Sequence, residues 1–228
     1  MSLLKKKNIL ITAGSTRGYL DAVRYITNTS TGRLGSEIAL EAMGRGAVVT
    51  YIYGDDSLFP VIHDRSDINA SQLKLIKIET NNDLIKVLQK KLKNRKFDAI
   101  IHAMAVADYV PARAKQGKAS SQKEEWLIKL VKTPKVINII RITWPEAFLV
   151  GFKLEVNRTK DEIIKIARRF LTKSKANLIV ANDYKHISRN RHIAYMVTGD
   201  RKIPKPLKGK KVIAKNIISC LENTLTYQ

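Results

Sequence analysis

Apolar residues along this chain fall into short runs that alternate with amphipathic stretches, a pattern that predicts strands and helices in regular succession. Residues 8–12 (NILIT) form a brief apolar run ending in Ala-Gly-Ser-Thr, the mark of a buried strand followed by a loop. Over 31–44, Leu34, Ile38 and Ala42 recur at helical spacing, and Gly44 and Gly46 end the helix. Residues 47–53 (AVVTYIY) are β-branched and aromatic, hence a second strand, stopped by Gly54-Asp55-Asp56. Residues 73–78 alternate apolar with basic, as expected of a strand near a sheet edge.

Thr80-Asn81-Asn82-Asp83 reads as a capping box, and Leu84, Val87, Leu88 and Leu92 make the apolar face of the helix it opens. A further strand is expected at 97–103. A polar segment follows over 108–125, carrying Gly117 and a Ser-Ser pair, and is expected to be an inserted, flexible functional loop. Residues 126–131 read as a strand, and Thr133-Pro134 as the cap and first turn of a helix through about 141. Residues 147–152 predict another strand. Thr159 to Glu162 form a second capping box, whose helix places Ile163, Ala167, Phe170 and Leu171 on one face. Residues 178–181 predict a strand, 193–197 and 201–203 a small β-hairpin across Thr198-Gly199-Asp200, and Ile213, Ile217, Cys220 and Leu221 a last helix.

The expected architecture is therefore α/β and Rossmann-like. It is a mostly parallel sheet with helices on both faces, a flexible loop insertion and a small β-hairpin, all within one domain spanning residues 1–228. In such sheets ligands bind outside the carboxyl ends of the strands, so polar clusters just after strands are the places to look for chemistry.

Composition narrows the class. Hydrophobic residues make up 44% of the 228, which argues against global disorder. No apolar run approaches the roughly 18 residues of a membrane span, and residues 9–11 are too short for a secretory leader. A single cysteine, Cys220, excludes an internal disulfide and suits a cytoplasmic protein, with the thiol expected on a buried helix face. The net charge of +22 suggests either nucleic acid or small anionic substrates. The basic residues are spread along the chain and not interleaved with aromatics, which disfavours nucleic acid.

Four clusters follow four of the expected strands. The first, from Thr12 to Arg17, contains Gly14 and Ser15, whose small side chains let the backbone approach a phosphate. The second, from Asn28 to Gly35, places hydroxyls, glycines and Arg33 at a helix N-terminus, which also suits a phosphate. The third, with Ala103, Met104, Ala105 and Asp108, permits close contact with a base or ribose and offers a carboxylate to ribose hydroxyls or a metal. The fourth contains Asn182 and Asp183. His102 reads as a packed core residue, and His186 and His192, in a basic stretch, read as solvated. No HExxH, GxSxG or Walker A motif is present, nor any metal-ligand constellation. An NAD(P)-dependent oxidoreductase would share the alternation of strands and helices. It should also show G-x-G-x-x-G and a Tyr-x-x-x-Lys pair, and neither occurs.

Taken in order, the stretches ILITAGSTR, LDAVRYITNTSTGRLG, MAVADYVPA, GKASS, KLVKTPK, LVGFKLE and LIVANDY resemble the phosphopantothenate–cysteine ligases. They run from residue 9 to residue 184, and their order is more specific than any one of them. Ser15, Gly18 and Met104 depart from the family pattern, which often has glycine, an acidic residue and alanine there. The resemblance implies a monofunctional bacterial form without an attached flavin-dependent decarboxylase. It also implies a homodimer that uses CTP (or ATP) with Mg2+ to join phosphopantothenate to cysteine. By position it implies that Asn28 handles the acyl-nucleotide intermediate and that Asp108 and the backbone near Ala105 contact the nucleotide. Lys118 would engage the triphosphate from a loop, and Phe152 would belong to the nucleotide pocket.

Overall fold

The computed structural model describes residues 4–63, 65–122, 124–188, 191–200 and 202–226. The elements in chain order are β1 (Asn8–Ala13), β2 (Arg17–Tyr19), β3 (Tyr25–Thr27), α1 (Arg33–Gly44), β4 (Val48–Gly54), β5 (Leu73–Ile78), α2 (Asn81–Lys86), β6 (Ala99–His102), β7 (Tyr109–Pro111) and β8 (Leu130–Lys132). Then come α3 (Val136–Thr143), β9 (Phe148–Glu155), α4 (Lys160–Ser174), β10 (Leu178–Ile187), β11 (His192–Val197), β12 (Leu207–Lys208) and α5 (Lys210–Thr226). Eight strands make one sheet in the order β12-β11-β10-β9-β6-β1-β4-β5, parallel from β10 to β5 and antiparallel at β11 and β12. Strand order reverses at β1, which has β4 on one side and β6 on the other, and this is the topological switch point of a doubly wound sheet.

Alternation within each strand decides which helices lie on which face. Ile9, Ile11 and Ala13 of β1, with Val150 of β9 and Val180 of β10, pack with Ile38 and Ala42 of α1 and Ile213 and Ile217 of α5. Leu10, Ile100 and Leu149 point the other way, against Leu84 of α2 and Val136 and Ile140 of α3. Ile163 and Ala167 of α4 cover Ile179 and Ala181 on that same face. Close contact between α1 and β1 depends on Gly35, where a Cβ would lie 2.4 Å from that of Ala13.

Both expected capping boxes are present, on Thr80 and Thr159. Some expectations are revised. Thr133 does not cap α3: its hydroxyl donates to the Ala107 carbonyl at 2.7 Å, so the helix begins at Val136 after an uncapped Lys135. In the 126–131 segment only residues from Leu130 onward form strand, and they pair with β7. The second arm of the late hairpin is Leu207–Lys208, pairing with Ala194 and Ile193; Arg201 lies outside the described residues, and 202–206 are not strand. The β2–β3 and β7–β8 hairpins sit together as a small lobe beside the sheet. No helix among the described residues is long and apolar enough to cross a membrane.

Candidate active site

A cavity of about 740 Å³ opens at the carboxyl ends of β6, β9 and β10 and the N-terminus of α1. Asn28, Arg33, Ala103, Met104, Ala105, Asp108, Phe152 and Asn182 all line it, though they come from four separate stretches of sequence. The parallel sheet is the cause: each strand ends at the same edge, so loops distant in sequence become neighbours. Asn28 ties two of those loops together, donating from Nδ2 to the Ala105 carbonyl at 3.2 Å. Asp108 is half-exposed and pairs with Lys135 at 2.6 Å, and among the described residues it is the only carboxylate side chain lining the cavity. Phe152 packs one side against the core beneath α1 and α5 and presents an apolar wall.

Arg33 opens α1 after Gly32, which has no side chain to cap it; the Arg33 N–H donates to Thr31 Oγ1 at 3.5 Å, and the N–H groups of Leu34 and Gly35 remain available to an anion. Lys210 opens α5 at the same cavity and donates to the Ser188 carbonyl at 3.1 Å. Its pKa is held below the ordinary lysine value, first by burial and then by the positive charge of Arg33.

The histidines divide differently from the sequence expectation. His102 is buried, as expected, and shares a 2.7 Å hydrogen bond with Thr12 Oγ1; burial pushes its pKa down to about 4. His192 is not solvated. It is 6% exposed, its Nε2 accepts from Asn182 Nδ2 at 3.0 Å, and burial with the nearby Lys210 pushes its pKa down to about 4. The signal that locates it is period-two alternation: His192 begins β11 and points to the same side as buried Ala194. The neighbouring basic residues masked that pattern.

Gly14, Ser15 and Lys118 do not line the cavity. Gly14 has φ +82°, and a Cβ there would lie 1.9 Å from Ser57 Oγ, so its small size makes room for the turn after β4. Ser15 accepts from Thr27 Oγ1 at 3.0 Å and bridges to Ala105, running alongside the cavity wall. Lys118 is exposed on the small lobe, between residues that are anchored. Asp21, 1% exposed, accepts from the backbone N–H groups of Ala119, Val23 and Arg24 at 2.8–2.9 Å, and the Ala119 contact is the main reason its pKa is depressed. Ala22 also donates to the Gly117 carbonyl at 3.2 Å. Asp183 serves a comparable structural purpose at the end of β10. Burial alone would raise its pKa, but N–H groups of Arg158, Lys185 and Asn157 outweigh it and hold the pKa down. Among the described residues no group of three or more His, Cys, Asp or Glu is placed to hold a metal ion.

Residues 4–225 match the family model of the DNA/pantothenate metabolism flavoprotein C-terminal domain. The coenzyme A biosynthesis bifunctional protein CoaBC of Thermococcus kodakarensis is 32% identical over 222 residues, which are 97% of this chain and 52% of that protein. The chain spans about half the length of the curated relatives it matches. The crystal structure of the DNA/pantothenate metabolism flavoprotein from Streptococcus pneumoniae superposes with a TM-score of 0.83 at 32% identity, covering 96% of this chain and 99% of that one. The C-terminal domain of a CoaBC protein superposes with a TM-score of 0.78 at 29% identity over the full length of both.

Proposed function

The chain belongs to the DNA/pantothenate metabolism flavoprotein C-terminal domain family, and from that premise we propose that it is a cytoplasmic ligase of coenzyme A biosynthesis that joins 4′-phosphopantothenate to L-cysteine. The observation that carries this reading is the convergence of Asn28, Asp108 and Phe152 on one cavity beside an uncapped helix N-terminus bearing Arg33. The co-substrate is CTP, with ATP as the alternative.

In the first step a carboxylate oxygen of phosphopantothenate attacks the α-phosphorus of the nucleotide, and the bond to the pyrophosphate oxygen breaks. In the second the cysteine amine attacks the acyl carbon, loses a proton, and displaces the nucleoside monophosphate. Reacting partners in the first step are both anionic, so the obstacle is charge repulsion and the remedy is fixed positive charge and aligned N–H donors. Arg33 and the first turn of α1 supply both. Asn28 can turn its amide from the Ala105 carbonyl to a phosphate or acyl oxygen, because it is exposed and held by that single 3.2 Å bond. Asp108 accepts from ribose hydroxyls while Lys135 holds it in place. Phe152 offers a flat apolar wall to the base.

Mg2+ would enter on the triphosphate and spread its charge, with Asp108 the one carboxylate lining the cavity among the described residues; such an ion needs no all-protein cage. Lys118 would complete the charge balance on the departing pyrophosphate. That role requires its segment to leave the seat on Asp21, or to reach the cavity of a second copy in a homodimer. Exposed Tyr109, Trp126, Leu127 and Leu130 on the small lobe support self-association.

The test is pyrophosphate release from phosphopantothenate and cysteine, with CTP and ATP in parallel. Release that depends on the acid, followed by amide formation with cysteine, is the expected result. No release with either nucleotide would remove the assignment.

A further inference from the structure

We propose that Lys210 is a phosphate-binding residue, forming with Arg33 a two-cation seat at the end of the cavity where α1 and α5 begin side by side. The inference rests on reading the cavity as a phosphate-handling site, and it adds a residue that lies beyond all the stretches carrying the family resemblance.

Two features of the cavity wall point to a missing anion. First, two cations share one partly desolvated region: Lys210 lines the cavity with Arg33, and Arg33 acts on it as a like charge. Second, neither forms a salt bridge with a carboxylate among the described residues, and the pull of Glu37 on Lys210 is weaker than the push of Arg33, while Arg17, Arg45 and Arg65 are each paired. The carboxylate of Asp108, which lines the cavity, pairs with Lys135. Unpaired lysines are ordinary on the surface of a chain with net charge +22. A partly buried lysine that shares a cavity with an arginine is different, because lost hydration and repulsion both cost free energy until an anion arrives.

The Ser188 carbonyl holds the lysine stem over the cavity, fixing the ammonium before any ligand binds. The α1 N-terminus aims uncapped N–H groups at the same region. A tetrahedral phosphate dianion fits this donor set, accepting from the guanidinium, the ammonium and the helix N–H groups together. Two sources carry that chemistry: a terminal phosphate of the nucleotide, and the phosphomonoester of phosphopantothenate.

The experiment is calorimetric titration of the full chain with inorganic triphosphate and, separately, with phosphopantothenate. Both are run for the unaltered protein, Lys210→Gln, Lys210→Arg, and Lys160→Gln as an exposed control at the start of α4. Lys210→Gln should weaken one arm about tenfold, Lys210→Arg should largely restore it, and Lys160→Gln should leave both unchanged. Loss confined to the triphosphate arm assigns the seat to the nucleotide; loss confined to the other assigns it to the phosphomonoester. The Tm of ligand-free Lys210→Gln should change little, because relief of the Arg33 repulsion offsets loss of the Ser188 hydrogen bond and of the Glu37 attraction. Equal binding of both anions by Lys210→Gln and the unaltered protein would overturn the proposal, as would failure of the unaltered protein to bind either. Triphosphate binding that depends on Lys210, but without pyrophosphate release in the complete assay, would leave the seat standing and sink the ligase reading instead.

Discussion

Asp21 and the Arg33–Lys210 pair are charged groups in partly or fully desolvated places, and their surroundings are opposites. Asp21 is met by three backbone N–H groups and the Arg24 guanidinium. Arg33 and Lys210 line one cavity without a salt-bridge partner among the described residues, and Arg33 weighs more on Lys210 than Glu37 does. The first arrangement is complete within the chain, so it holds architecture: the small lobe is pinned to its own turn. The second becomes complete only with something from outside. Unsatisfied charge inside a concave wall is therefore a better guide to the working end of this molecule than charge density, which is high everywhere.

The comparison can be broken or sharpened by substitution, beginning with the largest effect. Asn28→Ala, on the incomplete side, should cost roughly 10²–10³ in the rate of acyl-nucleotide formation or its conversion while leaving the melting curve in place. Near-normal pyrophosphate release and product formation would mean that the amide only ties loops together. Next come the two buried histidines. Their folded pKa values near 4 lie below the ordinary 6.5, so the folded state binds fewer protons than the unfolded one between those values. Stability present above about pH 6.5 should thus be lost as pH falls toward 4, by up to about 3 kcal/mol for each histidine. Melting curves across that window check it, and His102→Asn should remove part of the acid sensitivity; a flat profile in the unaltered protein would contradict the burial.

On the complete side, Asp21→Ala leaves the N–H groups of Val23, Arg24 and Ala119 unmatched and should lower Tm by several degrees. Hydrogen exchange at Ala119 should quicken in the same variant, and unchanged exchange would show that the Asp21 contact does not anchor the segment. The smallest stability effect belongs to Lys118→Gln. This exposed side chain should be replaceable without moving Tm, while pyrophosphate release slows. A large fall in Tm would place Lys118 in the architecture and not in the chemistry.

Much of the fold was legible because local signals agreed with one another. Threonine caps, apolar faces and β-branched runs located the strands and helices of the main sheet, although β9 and β10 run past their expected ends and the short strands β2, β3 and β7 were not expected. The edge position of β5 followed from its alternating lysines. Signals failed where one residue had two possible partners. Thr133 looked like a cap, but the Ala107 carbonyl claims its hydroxyl. His192 looked solvated because its neighbours are basic, although strand pleating turns it inward. In the candidate site, the stretches at the carboxyl ends of β6, β9 and β10 line one cavity because the sheet brings strand ends together, whereas Gly14 and Ser15 after β1 lie outside it. Lys210 was not legible, since a lysine at a helix start carries no mark in sequence of the arginine whose cavity it shares. The position of Lys118 depends on a carboxylate far away in the chain, and no local pattern reports that.

Gly35 holds α1 almost in contact with β1, and the first turn of that helix is the part that faces the cavity. Even a methyl group at this point would lever the helix away from the strand and carry Arg33 and its amide neighbours with it. In a library of every single substitution selected for activity, position 35 should therefore tolerate nothing but glycine. Alanine there would be as damaging as tryptophan, although no atom of this residue's side chain exists to touch a substrate.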